Sequence, residues 1–240
     1  MNEKYKYFSK NKITKKSKRR FAIGDIHGCA ETLKALIENK IQITKDCQIF
    51  LLGDYIDKGP ASKKVVDYII ELINKGYKIY PLLGNHEEEK IKAEKSEPEI
   101  LSWLMRNEKD MLENGKLKSE YLEFFEHLPY YYETDDFLFV HAACNFDKDK
   151  PFEDKISMMQ MRRFENNIKF TKGKTIIHGH QPVNIEDIKA DILERKNIIN
   201  LDCGVNYIKP HKIYDYKKMS RLCALDLDTY ELLIQENIER

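Results

Sequence analysis

Apolar positions in the first ninety residues fall into short runs of strand length separated by stretches with helical spacing. "RFAI", "CQIFLL" and "YKIYPLL" are the strand-like runs, each breaking off into a polar loop. Between them, "AETLKALIENK" places Leu33, Leu36 and Ile37 on one helical face. "ASKKVVDYIIELINKG" keeps Val65, Val66, Ile69, Ile70 and Ile73 at helical spacing, with Gly76 as its C-terminal stop. Strand, helix, strand, helix, strand predicts parallel pairing through right-handed crossovers. From about Glu87 to Leu128 the pattern is helical, charged and rich in Leu, Phe and Tyr, and predicts helices covering one face or lid of a site. Strand patterns then return in "FLFVHA", "KTIIHGH", "NIINLDCG" and a terminal pair, "RLCALDL" and "YELLIQ", joined across "DTY". An α/β start and a β-rich finish predict an α/β (α+β) domain of two packed β-sheets flanked by helices.

Length and charge narrow this picture. The 240 residues suit one domain, and 41 Lys+Arg against 40 Asp+Glu give a net charge of +1, too small to argue for nucleic acid or an anionic membrane. The charge is uneven: residues 1–20 carry nine Lys/Arg and one Glu, predicting a basic, solvated, disordered tail before a catalytic domain at 21–240. No stretch approaches the roughly 18 consecutive apolar residues of a membrane span, and no signal-peptide core is present, so a cytoplasmic protein is expected. The cysteines Cys29, Cys47, Cys144, Cys203 and Cys223 are odd in number and lack a C-x-x-C pair, which suits reduced thiols.

The chemistry lies where the apolar runs stop. "FAIGDIHG", "IFLLGDYIDKG", "YPLLGNHE", "FLFVHA" and "TIIHGH" all end in residues able to bind a metal, and loops at the carboxyl ends of strands in an α/β sheet converge on one crevice. Asp25 and His27 lie two apart on an extended segment and point the same way, so carboxylate and imidazole can grip one ion. Asp54, with two oxygens, can bridge two cations. Asn85 and His86 are adjacent and diverge, one free to ligate while the other faces substrate. The proposed ligands are Asp25, His27 and Asp54 on one metal and Asp54, Asn85, His141 and His180 on the other. Nitrogen and oxygen donors without thiolate favour Mn²⁺, with Fe or Zn²⁺ as alternatives. Two such ions about 3.5–4 Å apart are what hydrolytic phosphoester enzymes use.

In their order and spacing, "GDIHG", "GDYIDKG", "GNHE", "VHA" and "GH" resemble the metal-dependent phosphoprotein phosphatases, the calcineurin-like metallophosphoesterase superfamily. The small bacterial and phage serine/threonine phosphatases and the dinucleoside tetraphosphate hydrolases are the most similar branches, over roughly residues 21–235. The resemblance supports the six ligands and makes His86 the proton donor to the leaving oxygen, held by Asp57. It places phosphate against Lys58, Asn85 and Arg162, with Arg163 the alternative in "MMQMRRFEN". It implies a dimetal phosphomonoesterase for phosphoserine and phosphothreonine, acting by in-line attack of a metal-bridging hydroxide. The rivals are a dinucleoside tetraphosphate hydrolase and a binding scaffold that has lost catalysis. Partners are then a phosphorylated protein or small phosphoester, without membrane or nucleic acid. Three features depart from the family: Lys58 where arginine is usual, "DCG" (Asp202 to Gly204) in place of "DTG", and a long segment over 205–220.

Plainer roles suit several other residues. His127, His178 and His211 suit structural positions, Asp57 could cap the helix near Ser62, and Glu87, Glu88 and Glu89 complement a helix dipole. Cys29 and Cys203 are best taken as small buried thiols.

Overall fold

The computed structural model describes residues 5, 8, 10–14, 17–209 and 215–239, the side chain of Pro98 aside. Its first half alternates as the apolar pattern predicts: β1 (Arg19–Ile23), α1 (Ala30–Ala35), β2 (Cys47–Leu51), α2 (Ser62–Asn74) and β3 (Lys78–Pro81). Helix α1 continues as a π-type turn over Leu36–Ile41. β1 and β3 each pair parallel with β2, setting Phe21 opposite Ile49 and Ile49 opposite Ile79.

The middle holds α3 (Asn85–Ser96), α4 (Pro98–Leu104), a small hairpin of β4 (Leu112–Glu113) and β5 (Lys116–Leu117), and α5 (Ser119–Glu126). The hairpin interrupts what the pattern predicts as continuous helix. Asn114 and Gly115 both take positive φ, 51° and 78°, and an Asn-Gly pair in that conformation makes a tight two-residue turn. α5 is no lid, because Tyr121, Phe124 and Phe125 are buried in the main core.

The second half contains β6 (Tyr131–Glu133), β7 (Phe137–Val140), α6 (Lys155–Gln160), α7 (Ile168–Thr171), β8 (Thr175–His178), α8 (Ile185–Leu193), β9 (Ile198–Asn200), β10 (Arg221–Asp226) and β11 (Leu232–Glu236). The strand-dominated pattern of this half predicts no helix at α8, although Ile185, Ile188 and Ile192 sit at helical spacing and are its buried residues. The strands form a five-stranded sheet ordered β11-β10-β1-β2-β3 and a four-stranded sheet ordered β6-β7-β8-β9.

Side-chain alternation explains why these sheets stack. Phe21, Ile23, Ile49, Leu51 and Ile79 face α1, α2 and α5, whereas Ala22, Phe50, Leu52 and Leu82 face Phe137, Phe139, Ile177 and Ile199 of the other sheet. Phe50 and Phe139 stack across this interface with centroids 4.0 Å apart, adding about 0.5–1.5 kcal/mol beyond their area burial. The remaining face of the smaller sheet, Leu138, Val140 and Ile176, packs on Met158 of α6. All five cysteines are buried and free.

Among the described residues of the first twenty, Tyr5, Phe8 and Arg20 are buried, while Lys10, Lys12, Thr14, Lys18 and Arg19 are exposed. Tyr5 and Phe8 are 2% and 0% exposed and lie against Phe124 of α5, with ring centroids 5.8 and 6.5 Å away. Ile13 N donates to Glu133 O at 2.8 Å, and buried Arg20 binds Asp228 at 2.7 Å. Each of these two aromatic rings contributes about 1.5–3 kcal/mol when fully buried.

Candidate active site

The carboxyl ends of β1, β2, β3, β7, β8 and β9 lead into the loops that hold the candidate residues. β1 leads to Asp25 and His27, β2 to Asp54, Asp57 and Lys58, and β3 to Asn85 and His86 in the first turn of α3. β7 leads to His141, β8 to His178 and His180, and β9 to Asp202. Five of these residues hold left-handed backbone: His27 (φ 44°), Asp54 (52°), Asp57 (67°), Lys58 (66°) and His180 (69°). Side chains pay about 1 kcal/mol or more for that conformation, so the loops need bracing. Ile26 N and His27 N both donate to Asp54 O, at 3.1 and 2.8 Å. Gly84 packs so closely on Asp54 that a Cβ there would lie 2.3 Å from Asp54 Oδ1.

The six proposed ligands meet. Asn85 Oδ1 lies 2.9 Å from both His141 Nε2 and His180 Nδ1, and Asp54 Oδ1 lies 3.4 Å from His141 Nε2. On the other side of Asp54, Oδ2 is 3.5 Å from His27 Nε2, which is 4.0 Å from Asp25 Oδ2. His86 joins His27 and Asp54 as a group able to surround one ion, while Asp54, His141 and His180 form the other.

The donor set fits divalent cations. His27 Nδ1 sits 3.0 Å from Ile56 O and His141 Nδ1 2.8 Å from Leu52 O, so each ring donates there and turns its Nε2 lone pair to the centre. Burial and the Lys58 charge push His27 down to about 3, burial and neighbouring cations push His180 down to about 4, and burial lowers His141. All three are neutral imidazoles at pH 7, as ligands must be. Burial works against a charged Asp54, yet the surrounding imidazoles and Lys58 hold it well below the usual carboxylate range. Asp25 is pushed well up by burial, Asp202 and Asp54, and Asp202 is pushed up to about 6, chiefly by burial. Three buried carboxylates thus crowd one centre, and cations there would relieve them.

Beside the ligands, His86 Nδ1 lies 2.5 Å from Asp57 Oδ2, leaving Nε2 toward Asp54, 3.8 Å from its Oδ2. Asp57 is not a helix cap: α2 has no side-chain cap, and Ser62 Oγ instead accepts from Asp57 N at 3.0 Å. Lys58 Nζ is 2.8 Å from His27 Nε2. Arg162 is exposed but its charge acts on His180, whereas Arg163 lines a separate cavity with Phe146 and Asn167. His178 is buried edge-on to Phe164, the His127 ring packs tilted against Tyr5, and His211 lies outside the described residues.

Three supporting residues went unnoticed in the sequence or were assigned less than they do. Glu87 is 0% exposed and accepts from four backbone N–H groups: Asp54 at 3.0, Tyr55 at 2.7, Ile56 at 3.2 and Gly84 at 3.1 Å. Lys90, also buried, donates to Asp57 Oδ2 at 2.7 Å. Asp202 is 1% exposed beside Asp25. In the sequence, Asp202 stands out only through the "DCG" departure.

Known proteins place this arrangement. A zinc-dependent endopolyphosphatase of Saccharomyces cerevisiae is 40% identical over 76 residues, a match covering 31% of this chain and only 22% of that protein. An asymmetrical bis(5'-nucleosyl)-tetraphosphatase, PrpE, of Anoxybacillus flavithermus is 23% identical over 215 residues, 76% of this chain and 84% of that one. A solved protein serine/threonine phosphatase from Saccharomyces cerevisiae shares the fold at 14% identity, with a TM-score of 0.65 over 99% of this chain and 88% of its own. The family sequence model of calcineurin-like phosphoesterases matches residues 19–208, all the segments that build the site, and the chain belongs to that family.

Proposed function

We propose that the protein is a dimetal phosphomonoesterase acting on phosphoserine and phosphothreonine in proteins. The reading is carried by the His86–Asp57 pair, 2.5 Å apart, set beside the shared carboxylate Asp54. Divalent ions, with Mn²⁺ suited to these donors, would be held by Asp25, His27 and Asp54 and by Asp54, Asn85, His141 and His180, and supply water activation and charge neutralisation on phosphate oxygens. Asp57 accepts from His86 Nδ1, which turns Nε2 toward the reacting centre. Burial draws the His86 pKa down, but the bond to Asp57 and the Asp54 charge raise it above the ordinary value, favouring the proton-donating form. Buried Lys90 keeps Asp57 charged. A serine or threonine alkoxide leaves poorly unless protonated, and His86 Nε2 supplies that proton. Lys58 and Arg162 bring positive charge to the phosphate.

A cavity of about 650 Å³ opens beside His86, lined by Glu88, Glu89 and Glu97 against the single ammonium of Lys92, with Ile100 and Leu104. That lining suits a peptide better than a polyphosphate leaving group. The second reading, hydrolysis of dinucleoside tetraphosphates, is favoured by the relative matched over most of both chains. Turnover of phosphoserine and phosphothreonine peptides beside diadenosine tetraphosphate, with Mn²⁺ supplied, separates them. The expected result is a higher kcat/KM on the peptides. A preference for the dinucleotide would establish the second reading, and no turnover of either would reject both.

A further inference from the structure

We propose that Asp202 is an additional carboxylate of the metal centre, its Oδ2 directed to the ion that Asp25 and His27 bind. The inference rests on the two-metal reading above. Its starting observation is an orphaned atom: Asp202 Oδ2 is buried and has no hydrogen-bond partner among the described residues. The rest of the residue is fixed. Its Oδ1 accepts from Gly204 N at 2.9 Å, its N–H donates to Asn200 Oδ1 at 2.8 Å, and its carbonyl accepts from Val183 N at 3.0 Å. The carboxylate is thus fixed through Oδ1 and its backbone while Oδ2 stays without a donor.

The backbone brings Asp202 beside Asp25. A Cβ on Gly24 would lie 2.2 Å from Leu201 O and 3.3 Å from Asp202 N, so the exit of β9 runs directly over the exit of β1, one residue before Asp25. A Cβ on Gly179 would lie 2.1 Å from Asp25 Oδ1. The Asp25 loop is therefore in close contact with both the Gly179 turn and the Leu201–Asp202 segment. Among the charges acting on Asp25, that of Asp202 ranks ahead of that of Asp54.

A buried carboxylate oxygen without a donor is costly, and three carboxylates sharing the Lys58 ammonium repel one another. Capping Gly204 needs only an oxygen, which Asn or Ser would provide without charge. The charge itself has a use only if a cation is its partner, and a divalent ion on Asp25 and His27 would be one.

Two variants of the full chain test this, Asp202→Asn and Asp202→Ser, each keeping an oxygen for Gly204 N. Mn²⁺ binding is measured by titration calorimetry, and melting is measured on the metal-free proteins. Asp54→Asn gauges the two-metal reading itself. We expect both Asp202 variants to bind Mn²⁺ about 10–100-fold more weakly at one of two sites, the usual effect of losing a supporting carboxylate. Their metal-free forms should melt no lower than wild type, since a repulsive charge is gone. Wild-type Mn²⁺ affinity at both sites would overturn the proposal, as would a lowered metal-free melting temperature with unchanged affinity, the pattern of a purely structural residue. If wild type binds no Mn²⁺, or Asp54→Asn binds it undiminished, the two-metal reading fails and this proposal falls with it.

Discussion

Glu87→Gln is the sharpest test of how the site is held. Glu87 Oε1 accepts from Tyr55 N and Ile56 N, and Oε2 from Asp54 N and Gly84 N. Glutamine keeps one oxygen and turns the other position into an NH₂ donor facing two N–H donors. Two buried donors then lose their acceptor, at about 1–3 kcal/mol each, so the variant should lose about 2–6 kcal/mol from a total of about 5–15. Because those donors hold the strained Asp54 turn (φ 52°), Mn²⁺ affinity should fall as well. The assay is urea unfolding of metal-free full-length protein at pH 8, read as a shift in midpoint at constant m-value. At that pH Glu87 is ionised, since burial and the Asp54 charge push its pKa from 4.5 to about 7. The sign of the pH dependence follows. A carboxyl whose pKa is raised on folding binds its proton more tightly in the folded state, so its contribution to stability is lost as pH rises from 4.5 to about 7. The glutamine variant lacks that slope, and the gap between the two proteins should widen as pH falls across that window. A glutamine variant within about 0.5 kcal/mol of wild type at pH 8 would show that the four donors have other partners, and the bracing argument would be wrong.

His86→Asn should cost about 10²–10⁴-fold more on a phosphoserine peptide than on nitrophenyl phosphate, whose leaving group needs no proton, and equal losses would remove His86 from the donor role. Since Asp57 keeps the His86 imidazolium populated above its ordinary pKa of 6.5, Asp57→Asn should move the alkaline limb of kcat on the peptide to lower pH, and an unmoved limb would count against the pair. Lys58→Ala should lower kcat/KM by about 10- to 10³-fold, with Lys58→Arg holding activity or raising it. Silence of Lys58→Ala on every phosphate ester would confine Lys58 to its contact with His27.

The chain itself determined the two kinds of periodicity, and with them β1 to β3, α1, α2 and most later strands, because apolar spacing is a local property that the fold obeyed. It also marked out the six residues proposed as ligands. Asp25, His27, Asp54, Asn85, His141 and His180 each sit where an apolar run ends, and strand ends of this topology share one edge of the sandwich. The tertiary structure decided what braces that set. Glu87 looks from its neighbours like any carboxylate in a first helical turn, and it does accept from Gly84, but its other three bonds reach back 31 to 33 residues to the Asp54 loop. Lys90 binds Asp57 from 33 residues away, and Tyr5 and Phe8 are buried against α5, far along the chain. A buried charge is placed by whatever packing brings opposite it, and that partner has no fixed spacing in sequence. Helix α8 and the Asn114–Gly115 hairpin were short local signals outweighed by the stretches around them. The left-handed backbone at Asp54, Asp57 and Lys58 left no mark in the sequence, because only the surrounding hydrogen bonds make so strained a turn the stable one.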